Sequence, residues 1–215
     1  LFTNDTVTAF EAIERAQWIA FGPVIFQAAR ILRDSGILKV VEESGKAGIK
    51  LPDIAEKVKM PEYGTRVLLE SGLGMGLVLV NDNKYTLGKT GHFMLHDQLT
   101  KVNMDFVQDV NYKGLFYLDE SIQTGKPVGL KQLGDWKTVY EGLSQLPKHI
   151  QKSWFSFDHY FSDDAFPYVL PLVYKDGIKN KDKVDSTNTK LMHLSLVKAE
   201  DILSSIKSIN KDSKK

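Results

Sequence analysis

The sequence predicts a mainly α fold with one small β-hairpin. Three observations carry that prediction. Apolar residues recur at helical spacing over most of the first 175 residues. Leu77-Val78-Leu79-Val80 and Tyr85-Thr86-Leu87 flank the polar turn Asn81-Asp82-Asn83-Lys84, which reads as a single hairpin. Two short helices, separated by Met60-Pro61, precede that hairpin, and helix–turn–helix–hairpin is the winged-helix plan.

The elements follow in order. Asn4-Asp5-Thr6 offers N-cap side chains for a helix over 7–21, with Phe10, Ile13, Ala16 and Trp18 apolar. Gly22-Pro23 interrupts it, and a strongly apolar helix over 24–32 follows. Asp34-Ser35-Gly36 marks a kink before a short helix over 37–43. These opening helices carry more apolar surface than one small winged helix covers, so a second copy of the chain is the preferred partner, with packing on the later helices of the same chain as the alternative. Leu51-Pro52-Asp53 opens the next helix, where proline suits the first turn, and Ile54, Ala55 and Val58 form its apolar face. Tyr63, Val67, Leu68 and Leu69 make the following helix, which is expected to end at the run Gly72, Gly74 and Gly76.

Beyond the hairpin, 99–122 reads as one helix with a bend near Asn111-Tyr112-Lys113-Gly114. Thr124-Gly125-Lys126-Pro127 is a turn. A loop over 128–136 and a short helix over 136–146 follow, and Pro147 starts a helix running towards His159. Asp163 to Pro167 starts another. From Lys175 the composition shifts to Lys, Ser and Asn, with one amphipathic helix expected over 191–209. The expected organisation is therefore 1–98 as opening helices and winged helix, 99–180 as a helical linker, and 181–215 as a polar lysine-rich tail.

Composition bounds the function. The 215 residues are 42% hydrophobic and 26% charged, which is ordinary for a globular protein. A net charge of +1 argues against a general polyanion surface. With no cysteine there is no thiolate nucleophile and no cysteine metal site, and the chain suits a reducing, cytoplasmic setting. No apolar run reaches the ~20 residues of a membrane span, so no membrane partner is expected. The chain opens on Leu1 without a signal peptide, as a trimmed or partial chain would. A winged helix invites a DNA-binding reading. Its recognition helix, however, would carry Arg66 against Glu62 and Glu70, whereas a groove-entering helix needs positive charge. Nucleic acid is not the expected partner, and a structural and dimerising use is preferred.

Several runs resemble one family. AARILRDSGILKVVEESG from Ala28, then LPDIAEKV, then RVLLESGLGMGLVLVNDNKYTLGKTGHFM are similar to the N-terminal dimerisation and winged-helix region of class-I S-adenosylmethionine-dependent O-methyltransferases. Those are the small-molecule enzymes that include the plant phenolic and acetylserotonin groups. TGKPVGL, DWKTVYEGLSQLP and SWFSFDHYFSDDAFPYVLPLVYKDGIKN resemble the linker that leads into their catalytic domain. The resemblance implies a homodimer through the N-terminal helices. For the complete enzyme it implies S-adenosylmethionine and a small aromatic or phenolic substrate. It also implies Tyr140 and Trp154 as cofactor-lining residues, with Phe155, Phe157, Asp158, His159 and Tyr160 lining the substrate; for the chain by itself, the same aromatics read first as plain core.

The sequence departs from the family where its Rossmann-like domain should begin. No Asp-x-Gly-x-Gly loop follows Asn180, and residues 181–215 fall short of the 100 or so a doubly wound domain needs. The family's general-base histidine has no counterpart in matching context. Catalytic residues are therefore expected to be none, and no cofactor is expected for this chain alone. The alternatives are a winged-helix DNA-binding regulator and a non-catalytic dimerising relative.

Four further patterns bear on function. His92 and His96 stand one helical turn apart, but no third ligand is near in sequence, so no metal is expected. Gly72, Gly74 and Gly76 precede a strand instead of following one, which is the wrong order for a phosphate loop. Gly125-Lys126 has no downstream Ser or Thr to act as a P-loop. No nucleophile-elbow sequence supports a hydrolase.

Overall fold

The computed structural model describes residues 5–163 and 165–170. The expected helix over 191–209 lies outside them. Two compact units divide the chain, residues 1–161 and 162–215. In the second unit the described residues begin a helix at 166, as expected for 163–167. There the Val169 amide donates to the Ala165 carbonyl at 3.0 Å.

In the first unit, α1 (Ala9–Ala20) is capped by Thr8, whose hydroxyl accepts from the Glu11 amide while Glu11 reaches back to the Thr8 amide. No α1 residue is buried. α2 (Gly22–Asp34) starts with Pro23 in its first turn. It leads through Gly36 into α3 (Ile37–Glu43). The strand β1 (Ile49–Lys50) comes next, then α4 (Leu51–Val58), which stops at Lys59 in a left-handed conformation just before Met60-Pro61. α5 (Glu62–Gly74), β2 (Val78–Asn81), β3 (Lys84–Leu87) and α6 (Lys89–His96) complete this half. Leu32, Ile37, Leu38, Val41, Ile54, Leu69 and Val78 are fully buried and form one core. From α3 onward the order is helix, strand, helix, helix and hairpin.

The hairpin follows from its turn. Asp82 and Asn83 both take positive φ, 48° and 58°, the backbone of the two-residue turn that matches strand twist. Their neighbours Asn81 and Lys84 are paired. The sheet has a third strand that the sequence did not reveal. β1 pairs with β3, Ile49 opposite Tyr85, and the order is β1-β3-β2, all antiparallel. Two residues carry no periodicity, so only the pairing makes them a strand.

α5 ends within the glycine run, as expected. α5 continues through Gly72 to Gly74, and Gly72 is buried. A β-carbon at Gly72 would sit 3.2 Å from both Leu32 Cδ1 and Val78 Cγ2. Gly91 is tighter. A β-carbon there would lie 2.2 Å from the Leu77 carbonyl oxygen, so α6 rests directly on the backbone ahead of β2.

The single helix expected over 99–122 is also corrected. α7 (Gln98–Phe106) starts on Asp97, whose carboxylate accepts from the Thr100 amide at 2.7 Å. The backbone then widens into a π turn over Val107–Asn111, tightens at Gly114–Tyr117, and resumes as α8 (Leu118–Thr124). Gly114 and Gly129 explain the break. Their backbones touch so closely that a β-carbon on Gly129 would stand 2.5 Å from the Gly114 oxygen. α9 (Val139–Gly142) and α10 (Lys148–Ser162) follow. Val110, Leu143, Leu146 and Ile150 form a second buried cluster among these elements. No helix among the described residues is long and apolar enough to cross a membrane.

A polar seam joins α2 to the α7 region. Arg33 pairs with Asp105 at 2.5 Å and with Asp34 at 2.8 Å. Gln27 donates to Gln108 at 2.7 Å. The Tyr112 hydroxyl donates to the Pro23 carbonyl at 3.0 Å while its ring stacks on Phe26. Burial by itself would lower the Arg33 pKa; the bonds to Asp34 and Asp105 outweigh it and raise the value.

Two stability changes follow. Gly91→Ala must push α6 off the Leu77 backbone and should lower unfolding free energy by about 1–3 kcal/mol in urea denaturation. Arg33→Met strands Asp105 and should cost about 1.5–3 kcal/mol in the same assay, from lost charge-assisted hydrogen bonds.

Candidate functional site

α10 is organised by its own periodicity. Ile150, Ser153, Trp154, Phe157 and Phe161 recur at three- and four-residue steps, and Ile150 and Ser153 are buried. The Ser153 hydroxyl donates to Asp109 at 2.5 Å, which fixes the roll of α10 against the π turn. With that roll set, Phe157 stacks on Phe106 of α7 at 4.0 Å and 14°. Trp154 meets Phe106 at 5.7 Å. Tyr140 of α9 stands edge-on to Trp154 at 6.0 Å. Phe161 extends the series past Phe157 at 4.8 Å, and Tyr160 meets Phe161 at 5.5 Å.

The resemblance-derived residues thus divide. Tyr140 and Trp154, named as a cofactor-lining pair, are in ring contact. Phe157 and Tyr160 belong to the same aromatic series. Phe155 is half-buried outside it, and Asp158 and His159 are exposed on the last turns of α10. Trp154 and Phe106 also pack on the second buried cluster, so the inner part of this wall is core. Phe106 and Asp109 were missed by sequence reasoning. They lie over forty residues upstream, and nothing local marks them as partners of α10.

The Tyr140 phenol is pushed above its ordinary range, first by partial burial and then by the negative charge of Asp158. Ring faces, a phenol and a carboxylate can bind a planar molecule and orient it.

A second set of groups meets elsewhere. His92 and His96 project from α6 towards Glu42 near the end of α3. The His96 imidazole is 2.6 Å from the Glu42 carboxylate, and this hydrogen bond holds Glu42 below the usual carboxylate range. The fold therefore supplies the third group that the sequence around His92 and His96 lacks.

The opening helices leave an uncovered face. Phe10 is 78% exposed and Ile19 80%, with Ile13, Phe21 and Val24 also exposed. Beside them a groove of about 340 Å³ runs between α1, α2 and the end of α5, lined by Trp18, Phe21, Val24, Ala28 and Met75.

Comparison with known proteins fits this geometry. Residues 14–85 match the Dimerisation2-like domain. The chain is similar to the N-terminal portion of S-adenosylmethionine-dependent methyltransferases, as the sequence resemblance implied. It is 23% identical over 169 residues to the L-tyrosine C(3)-methyltransferase of Streptomyces lavendulae, covering 77% of this chain and 45% of that protein. Among solved structures, the S-adenosylmethionine-dependent methyltransferase SibL aligns with a TM-score of 0.59 at 24% identity, over 73% of this chain and 46% of that one. The N,N-8-amino-8-demethyl-D-riboflavin dimethyltransferase of Streptomyces davawensis aligns with a TM-score of 0.54 at 17% identity, over 75% and 48%. The chain thus spans less than half the length of these relatives, and the structural likeness is one of fold.

The aromatic wall has a spectroscopic signature. Tyr140 should ionise above an ordinary tyrosine in a carbon-13 NMR titration of the ring. Because its neutral form is favoured in the fold, that contribution is complete below the ordinary tyrosine value and is lost as pH rises through the raised one. Asp158→Asn should bring the titration part of the way back. Trp154→Ala, which admits water, should bring it back further.

Proposed function

We propose that this chain is the dimer-forming and substrate-wall region of an S-adenosylmethionine-dependent small-molecule methyltransferase. On this reading it does not carry the methyl transfer on its own residues. The uncovered apolar face of α1 and α2, which from residue 14 onward falls in the stretch that matches a dimerisation domain, carries the reading. Contiguous large apolar side chains exposed on one helix mark an association surface. A second copy of the same helices would bury them.

In the complete enzyme, Tyr140 and Trp154 would line the cofactor side of the cleft. The aromatic series around Phe157 and Tyr160 would face an aromatic or phenolic substrate. A base would take the proton from a substrate hydroxyl, whose oxygen would then attack the sulfonium methyl in line as the methyl carbon–sulfur bond breaks and S-adenosylhomocysteine leaves. Opposite charges cancel along that path, so positioning contributes much of the rate. The related proteins are named for carbon and oxygen methylation alike, for L-tyrosine C(3) and for mitomycin 7-O. A wall of ring faces is compatible with either acceptor. The cysteine-free composition suits the cytoplasm.

A DNA-binding regulator is the competing reading. Its groove-entering helix would be α5, where Arg66 is paired with Glu62 at 3.2 Å and Glu70 adds a further negative charge. No net positive charge remains there for phosphate, so this reading is set aside.

Light scattering on the purified chain should give twice its 24.2 kDa mass, and Phe10→Asp with Ile19→Asp should return it to a monomer. Calorimetric titration with S-adenosylmethionine and S-adenosylhomocysteine should give no binding heat. A monomeric wild type would overturn the dimer, and micromolar cofactor binding would overturn the assignment of the cofactor site to other parts of the enzyme.

A further inference from the structure

α6 enters immediately after the hairpin and has little freedom to roll. Gly88 and Gly91 let it lie against the backbone at Gly76 and Leu77, and the Gly88 amide donates to the Leu77 carbonyl at 2.9 Å. With that roll fixed, His92 and His96 face α3 one turn apart. Their rings are 4.6 Å between centroids and inclined at 42°. Glu42 stands opposite. Its Oε1 lies 2.6 Å from His96 Nε2 and 3.6 Å from His92 Nδ1. One ligand atom from each of the three residues lies within 4.8 Å of the others.

We propose that Glu42, His92 and His96 bind one divalent transition-metal ion of the zinc class, tying α3 to α6. Two imidazoles and one carboxylate are a ligand set that zinc accepts with a fourth position open to water. Ligands about 2.1 Å from a tetrahedral zinc stand on the order of 3.4 Å from one another. The His92–Glu42 separation is already near that value. The His96–Glu42 contact is a hydrogen bond shared across one proton. When the ion takes the place of that proton, the pair opens by less than an ångström. That movement is within reach of side chains 47% and 25% exposed.

The surroundings select one ion and leave it accessible. Lys39 Nζ is 3.7 Å from Glu42 Oε2, so it occupies the other carboxylate oxygen and leaves Oε1 to the histidines. Lys39 also approaches Glu43 at 4.0 Å. Lys46 and Lys89 line the adjoining cleft with Glu42 and His92, and their charges oppose a second cation there. His92 is 57% exposed, which opens a route from solvent. None of its three residues belongs to the aromatic wall, and Glu42 and His96 are 54 residues apart along the chain.

The test uses the whole chain without an affinity tag. Zinc chloride is titrated calorimetrically into the metal-free protein, and cobalt(II) is added in parallel to read its visible ligand-field absorption. The expected result is saturable uptake of one zinc per chain and a cobalt spectrum of low coordination number. His92→Ala, His96→Ala and Glu42→Gln should each weaken zinc binding at least about tenfold. The His92→Ala/His96→Ala double variant should lose both signals, and His149→Ala on α10 should change neither. These side chains are at the surface, and circular dichroism of each variant should match the wild type. The proposal is overturned by a wild type that takes up no zinc, or by uptake that survives in the double variant.

Discussion

Arg33, held between Asp34 and Asp105, sets the place of α2, which is engaged on two sides and open on a third. One side sends Ala29 and Leu32 into the main core, where Leu32 meets Gly72 and Val78. A second side carries Phe26, Gln27 and Arg33 to the seam with the α7 region. The third presents Phe21 and Val24 to the groove beside α1. A rotation of α2 that relieved any one of these would break the other two. The charged seam is specific where the apolar core is not, because an ion pair and two hydrogen bonds define a register that hydrophobic contact alone leaves loose.

The seam also links the two candidate surfaces. Asp105 and Phe106 are neighbours in α7: the first pairs with Arg33, the second stacks on Phe157. Three residues on, Asp109 accepts from Ser153 and fixes α10. The π turn over Val107–Asn111 carries Asp109 and shifts its side chains relative to a regular helix. It is the device that lets one chain segment face α2 and α10 at once. The exposed apolar face of α1 and the aromatic wall on α10 are thus both referred to the same helix pair.

Steric contacts at backbone level decide a second set of relations. α6 is seated by glycines against Leu77, and this seating is what aims His92 and His96 at Glu42. Neither histidine is remarkable on its own helix, since two surface histidines one turn apart are common. What distinguishes them is a carboxylate brought from α3, ionised and shared between them.

What the sequence by itself determined is what neighbouring residues decide among themselves. Asp82-Asn83 selects the hairpin turn, Met60-Pro61 separates α4 from α5, and Gly22-Pro23 opens α2 after the break at Phe21, whereas the cap of α1 falls on Thr8 with Glu11, two residues past the cluster the sequence suggested. Helical periodicity gave the mainly α class for the same reason, and the surplus of apolar side chains in the opening helices was visible in composition alone. The tertiary structure decided the rest, because it depends on partners far along the chain. β1 is a strand only because β3 pairs with it. The 99–122 helix breaks where Gly114 meets Gly129. Tyr140 and Trp154 were named from a resemblance, but Phe106, which joins them to the core, came only from packing. Glu42 joins His92 and His96 only because α3 and α6 are folded onto the same core, a proximity that no spacing along the chain encodes.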